Sequence, residues 1–229
     1  MSTHTDLGPF LAPATFVDSD AASIREFAAR AVGEETDPVK QAVRLYYAVR
    51  DGIVYTPYLD FTSPDTYRAS AVLAKGAGFC VGKAAVLTAC ARAVGIPARL
   101  GFADVRNHLC TPRLRERMGG TDVFYFHGYV ELHLDGRWVK ATPAFDRALC
   151  EKFGVHALEF DGHADSLFQP FDVTGRRHME YLHDRGSMPD VPADEIMATF
   201  DRFYPALTAA TAVAPATQFR REAEQASGA

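Results

Sequence analysis

The chain has 229 residues, 48% hydrophobic and 23% charged, with a net charge of −5. That length and composition fit one large globular domain with short appendages, and the acidic balance argues against a general nucleic-acid or anionic-membrane binder. The N-terminus lacks a basic and apolar leader, no apolar run approaches the ~20 residues of a membrane span, and the four cysteines (Cys80, Cys90, Cys110, Cys150) show no CxxC spacing. Free thiols in a cytoplasmic protein are therefore expected.

Residues 1–17 read as an extended lead-in. A helix is expected over about 21–32, where Ile24, Phe27, Ala28 and Ala31 share one face. Asp37-Pro38 starts a second helix that ends near Asp51-Gly52, with a short strand at Ile53-Val54-Tyr55 and a short helix at 70–74. Gly76-Ala77-Gly78-Phe79-Cys80 then leads into 81–94, where only Lys83, Thr88 and Arg92 are clearly polar. A helix apolar nearly all round belongs inside a domain. Gly95 and Pro97 end it, and a strand follows over 98–103. Residues 104–122 are polar and turn-rich and read as a surface excursion, whose basic residues over 106–117 either steer an acidic group or form a solvated loop.

Residues 123–134 alternate in a strand pattern, and Asp135-Gly136 joins them to 137–142 as a hairpin. A two-residue turn pairs Leu134 with Arg137, Glu131 with Lys140 and, further along, His127 with Ala144. In that register Thr142 and Asp146 are the diagonal neighbours of His127. Beyond 150 the chain reads as loops and short strands at 160–162, 168–171 and 179–182, then a helix over about 193–203. Residues 204–229 are expected to form a flexible tail after a single domain over 1–203.

A thiol in the first turn of a helix lies where unpaired N–H groups and the helix dipole favour thiolate. Cys80 holds that position; the alternative is a small buried hydrophobe. Cys80, His127 and Asp146, in that order, form one arrangement of nucleophile, base and orienting acid, with the Cys80 N–H as an oxyanion donor. Cys90, Trp138 and Tyr129 read as packing residues. His156, His163, His178 and His183, with Asp161 and Asp165, carry no second metal-ligand spacing, so solvated loop residues are expected there, with neither metal nor cofactor.

Gly78-Phe79-Cys80, Gly95-Ile96-Pro97-Ala98-Arg99, His127-Gly128-Tyr129-Val130-Glu131 and Gly136-Arg137-Trp138-Val139 together resemble the core of the transglutaminase-like superfamily, over roughly 40–147. The resemblance implies an α+β, papain-related fold in which a central Cys-bearing helix packs on an antiparallel sheet. It also implies that Cys80 is the nucleophile and His127 the base. The family's usual acid directly before the proline is here Thr142, ahead of Pro143; Asp146 is the expected replacement. The implied activity is acyl transfer on a peptide or small amide, ester or thioester, with hydrolysis of protease or amidase type expected first. Transglutaminase, acyltransferase or cyclase chemistry is the alternative, and a non-catalytic binding domain that retains the scaffold is the reading from another class.

Overall fold

A computed structural model describes residues 6–108, 110–168, 171–209 and 213–227. Two helices lead in, α1 (Ala22–Val32) and α2 (Pro38–Gly52). Asp37 caps α2 as expected, its carboxylate accepting from Lys40 N at 2.9 Å. Strand β1 (Val54–Tyr55) pairs in parallel with β2 (Ala77–Gly78), across the short helix α3 (Ala69–Lys75). Helix α4 (Cys80–Ala93) follows directly.

Every residue of α4 from Cys80 to Arg92 is buried. Its three polar side chains are used internally. Lys83 Nζ donates to Arg50 O (2.8 Å) and Ile53 O (2.7 Å), which caps the end of α2. Thr88 Oγ1 donates to Ala84 O, and Arg92 Nε donates to Ala98 O across the turn that follows. The helix packs on a four-stranded antiparallel sheet of order β5-β4-β3-β6: β3 (Ala98–Asn107), β4 (Val123–Leu134), β5 (Arg137–Ala141) and β6 (Met179–Met188). This is the α+β arrangement expected from the sequence.

Glu131↔Lys140, His133↔Trp138 and Leu134↔Arg137 pair across the β4–β5 hairpin in the expected register. The ladder ends at Val130↔Ala141, because Thr142 N donates instead to Ser166 O and Pro143 has no N–H. The expected His127–Ala144 pairing is therefore not formed.

Three segments differ from expectation. Strand β3 continues through residues 104–107, since Asp104 and Asn107 are buried with partners, and Thr111 caps a further helix, α5 (Pro112–Arg117). The polar text at 179–188 forms the edge strand β6, where a half-solvated face accommodates Glu180, His183 and Asp184. The flexible tail expected over 204–229 is a correction for its described residues. Beyond α6 (Arg147–Phe153) and α7 (Ala193–Phe203), α8 (Pro205–Thr208) and α9 (Gln218–Ser227) bury Leu207, Phe219 and Ala223, which an Ala/Thr-rich composition concealed. Residues 210–212 and 228–229 of that tail, and 169–170 of the strand expected at 168–171, lie outside the described residues. No helix among the described residues is long and apolar enough to cross a membrane.

Candidate active site

Cys80 is the first residue of α4. The preceding Phe79 has extended backbone and no side-chain acceptor, so the first N–H groups of the helix are left without a cap. The N–H groups of Gly128, Val81 and Cys80 itself are within reach of the Cys80 sulfur and favour its thiolate. Gly128 is the residue after His127. A Cβ at Gly128 would stand 2.9 Å from Val81 Cα and 3.2 Å from Val81 N, so only glycine lets the strand lie this close to the start of the helix. This close approach brings the Cys80 and His127 positions together. No hydrogen bond joins the thiol to the imidazole in this state.

The strand is irregular where it presents His127. Phe126 has φ +55°, in the left-handed region, and the β3–β4 register shifts between Ala103↔His127 and Val105↔Phe124. A buried brace holds the irregularity. Asp104 accepts from Phe126 N at 3.1 Å and from Arg185 Nε (2.6 Å) and Nη2 (3.0 Å), and the Arg185 guanidinium lies 4.0 Å from the centre of the Phe126 ring. Sequence reasoning missed Asp104, Phe126 and Arg185. An acid and a base 81 residues apart leave no periodic signal.

Two cavities meet the site. One is narrow and is lined by His127, Thr142, Phe145, Cys150, Leu158 and others. His127 Nε2 and Thr142 Oγ1 are both buried without a hydrogen-bond partner, as are Ser166 Oγ and His178 Nδ1. Ser166 O accepts from Thr142 N, and the His178 ring stacks on Phe145 at 6.2 Å. The other cavity is narrow and has Cys80 in its wall, with Tyr55, Phe79, Leu114, Phe200 and Leu207 among its lining. The Tyr55 and Phe145 rings meet edge to face at 4.7 Å, so one ring of that pair belongs to each cavity.

Asp146 is not joined to His127 by a hydrogen bond. It caps α6, accepting from Leu149 N (3.0 Å), and it also accepts from Tyr55 N (3.2 Å) and Arg220 Nη2 (2.8 Å). Thr142 stays in the His127 cavity, whereas the chain carries Asp146 beyond the end of the ladder. His178, expected in a solvated loop, is buried and close enough to His127 to influence its charge. Among the described residues no group of three or more His, Cys, Asp or Glu is arranged to hold a metal ion. Asp161 and Asp165 accept backbone N–H groups of His163, Ala164 and Lys140.

Burial drives both central groups toward neutrality. It pushes the Cys80 thiol up to about 11, against the three N–H groups that favour the thiolate. Burial, with a smaller contribution from His178, pulls His127 down to about 4. The pair is therefore a neutral thiol beside a neutral imidazole near pH 7. Burial also raises Cys150, which lines the His127 cavity, to about 12.

The profile of the transglutaminase-like superfamily matches residues 25–143, just over half of the chain. The fold is similar to a solved structure described as a "Putative Cysteine Protease" from Cytophaga hutchinsonii, at 16% identity and a TM-score of 0.50, over 82% of this chain and 49% of that one. A structure described as a "putative protease" from Parabacteroides distasonis matches at 18% identity and a TM-score of 0.40, over 62% of this chain and 26% of that one. The chain thus spans half or less of the length of either protein. No curated protein matches. With its Cys-bearing helix packed on an antiparallel sheet that carries His127, the chain belongs to the transglutaminase-like superfamily.

Proposed function

We propose that the protein is a cysteine-dependent acyl-transfer enzyme, a hydrolase of protease or amidase type acting on a peptide or a small amide, ester or thioester. The observation that carries this reading is the place of Cys80 at the uncapped start of α4, with Gly128, the residue next to His127, packed directly on Val81. Cys80 Sγ attacks the acyl carbon, and an S–C bond forms. The thiol proton passes to neutral His127 and then to the leaving alkoxide, thiolate or amine. Water attacks the resulting thioester and frees the acid and Cys80. Pulled down to about 4, His127 is unprotonated at pH 7 and has a free site for that proton, and substrate binding has to favour its charged form for the transfer to proceed. N–H groups now within reach of the sulfur are suited to a developing oxyanion.

Asp146 is assigned a positioning role. Through Tyr55 N it ties β1, beside the Cys80 cavity, to the cap of α6. Polar support for charge on His127 is left to the Thr142 hydroxyl in its cavity.

A second reading, a binding domain that retains the scaffold, is favoured by the raised Cys80 thiol and by the absence of a carboxylate hydrogen-bonded to His127. Incubation with p-nitrophenyl esters, with and without an added primary amine, separates the readings by product mass. Free acid that disappears in Cys80→Ser supports the hydrolase. A dominant amide product moves the assignment to transfer, and no turnover in any mixture favours the binding domain.

A further inference from the structure

The cavity at Cys80 is notable for what lines it. Pro57, Phe61, Phe79, Leu114, Met118 and Leu207 are apolar, and among the described residues no ionisable acid or base other than the Cys80 thiol and tyrosine hydroxyls is in its walls. The Tyr204 hydroxyl is engaged, since it accepts from Tyr125 N at 2.8 Å and donates to Val123 O at 2.6 Å. The cations on nearby α5 are turned to other partners. Arg113 pairs with Glu222, Arg115 with Asp122, and Arg117 lies over the Tyr58 ring at 4.8 Å. Such a cavity has no group to match a carboxylate or an ammonium, and burying either there unpaired would be strongly unfavourable. Phe200, Tyr204 and Leu207 lie beyond the residues shared with the superfamily profile, so this part of the wall is supplied by the chain's own C-terminal segment.

We infer that this cavity is the acyl-group subsite, and that the substrate class is esters, thioesters or amides of uncharged apolar acyl chains. The assignment rests on the acyl-transfer reading above, because a group attached to Cys80 would project into the space that Cys80 borders. Shape and burial then select chain length. Each methylene removed from water should improve acylation by about threefold to fourfold until the cavity is full.

The test has two arms on the full chain. In the first, acetyl, butyryl, hexanoyl and octanoyl p-nitrophenyl esters are compared by the rate of Cys80 acylation, read by intact mass. The hexanoyl-to-acetyl ratio should exceed about thirtyfold, and Leu207→Trp should reduce it at least about tenfold. In the second, Cys80→Ser protein is loaded with the uncharged fluorophore N-phenyl-1-naphthylamine. Octanamide should displace it far better than acetamide, and Leu207→Trp should weaken its binding. Circular dichroism checks that Leu207→Trp is folded; Met118→Trp serves in its place if it is not. Acylation rates flat across the series, or displacement indifferent to chain length, overturn the apolar-acyl assignment. Graded displacement with no acylation by any ester refutes the acyl-transfer reading and retains the apolar pocket.

Discussion

The two cavities that meet at the Tyr55–Phe145 pair are both largely apolar and differ in whether the polar atoms of their walls are paired. On the Cys80 side the walls are apolar and the Tyr204 hydroxyl is already bonded to backbone. On the His127 side two lining polar atoms, His127 Nε2 and Thr142 Oγ1, have no partner, and Ser166 Oγ and His178 Nδ1 close by are in the same position. The first cavity is suited to receive a group, and the second to receive polar chemistry such as a proton or a water. Unsatisfied polar atoms are unfavourable to bury, and a cluster of them in a folded protein points to function more than to packing. Cys80 and His127 are both neutral at rest because each is buried and neither faces a carboxylate.

The largest effect is expected from removing the reacting groups. Cys80→Ser or His127→Ala should each lower kcat/KM at least ~10³-fold, and the double variant should be little worse than either single one, because the pair acts as a unit. Cys150→Ala, which empties only the lining of the His127 cavity, should keep most of the activity.

A carboxylate placed in the His127 cavity would sharpen the contrast. Thr142→Asp places a negative charge beside His127 and should raise its pKa from about 4 by ~1–3 units, measured by NMR titration of the ring protons. An unmoved His127 resonance would show that position 142 does not reach the imidazole.

Burial of two histidines should also make the fold acid-sensitive. His127 and His178 are both pulled down to about 4, mainly by burial, from an ordinary value of 6.5. A depressed histidine means that the unfolded chain binds more protons. Stability is therefore full above about pH 6.5 and falls as pH drops toward 4, by about 3 kcal/mol for each histidine. Urea midpoints from pH 7 to 4 should show the slope, and His178→Phe should roughly halve it.

Asp146→Asn is expected to cost about 1–2 kcal/mol, through a weakened cap on α6 and an unpaired Arg220. As a positioning residue, Asp146 should leave the pH profile of kcat unmoved. A profile shifted by a unit or more would place its carboxylate in the proton transfer. The smallest effect belongs to Asp104→Asn: a severalfold loss of kcat with KM unchanged, as the brace behind Phe126 loosens.

Local signals made Cys80, α4 and the hairpin legible in the sequence. An apolar run between glycines specifies a buried helix, and Asp135-Gly136 specifies the register close to the turn. The same register failed with distance. Pro143 and the Thr142 N–H bond to Ser166 end the ladder before it reaches His127, which removes the basis for placing Asp146 beside it. What remained hidden is non-local: Asp104 with Arg185, Asp146 with Arg220, and His178 near His127. The C-terminal helices were hidden for another reason. Phe219 and Ala223 share one face of an amphipathic α9, but the stretch is so polar overall that its composition reads as a solvated tail.

The central claim, that Cys80 is acylated with His127 as its base, is tested most directly by single-turnover acylation with hexanoyl p-nitrophenyl ester, followed by peptide mapping, for wild type and His127→Ala between pH 3 and 9. The account predicts one acyl group, on Cys80, and a rate that rises as His127 loses its proton near pH 4, stays level through neutral pH, and falls at least about 100-fold in His127→Ala. Acylation on Cys150, or a Cys80 rate indifferent to His127→Ala, would contradict it.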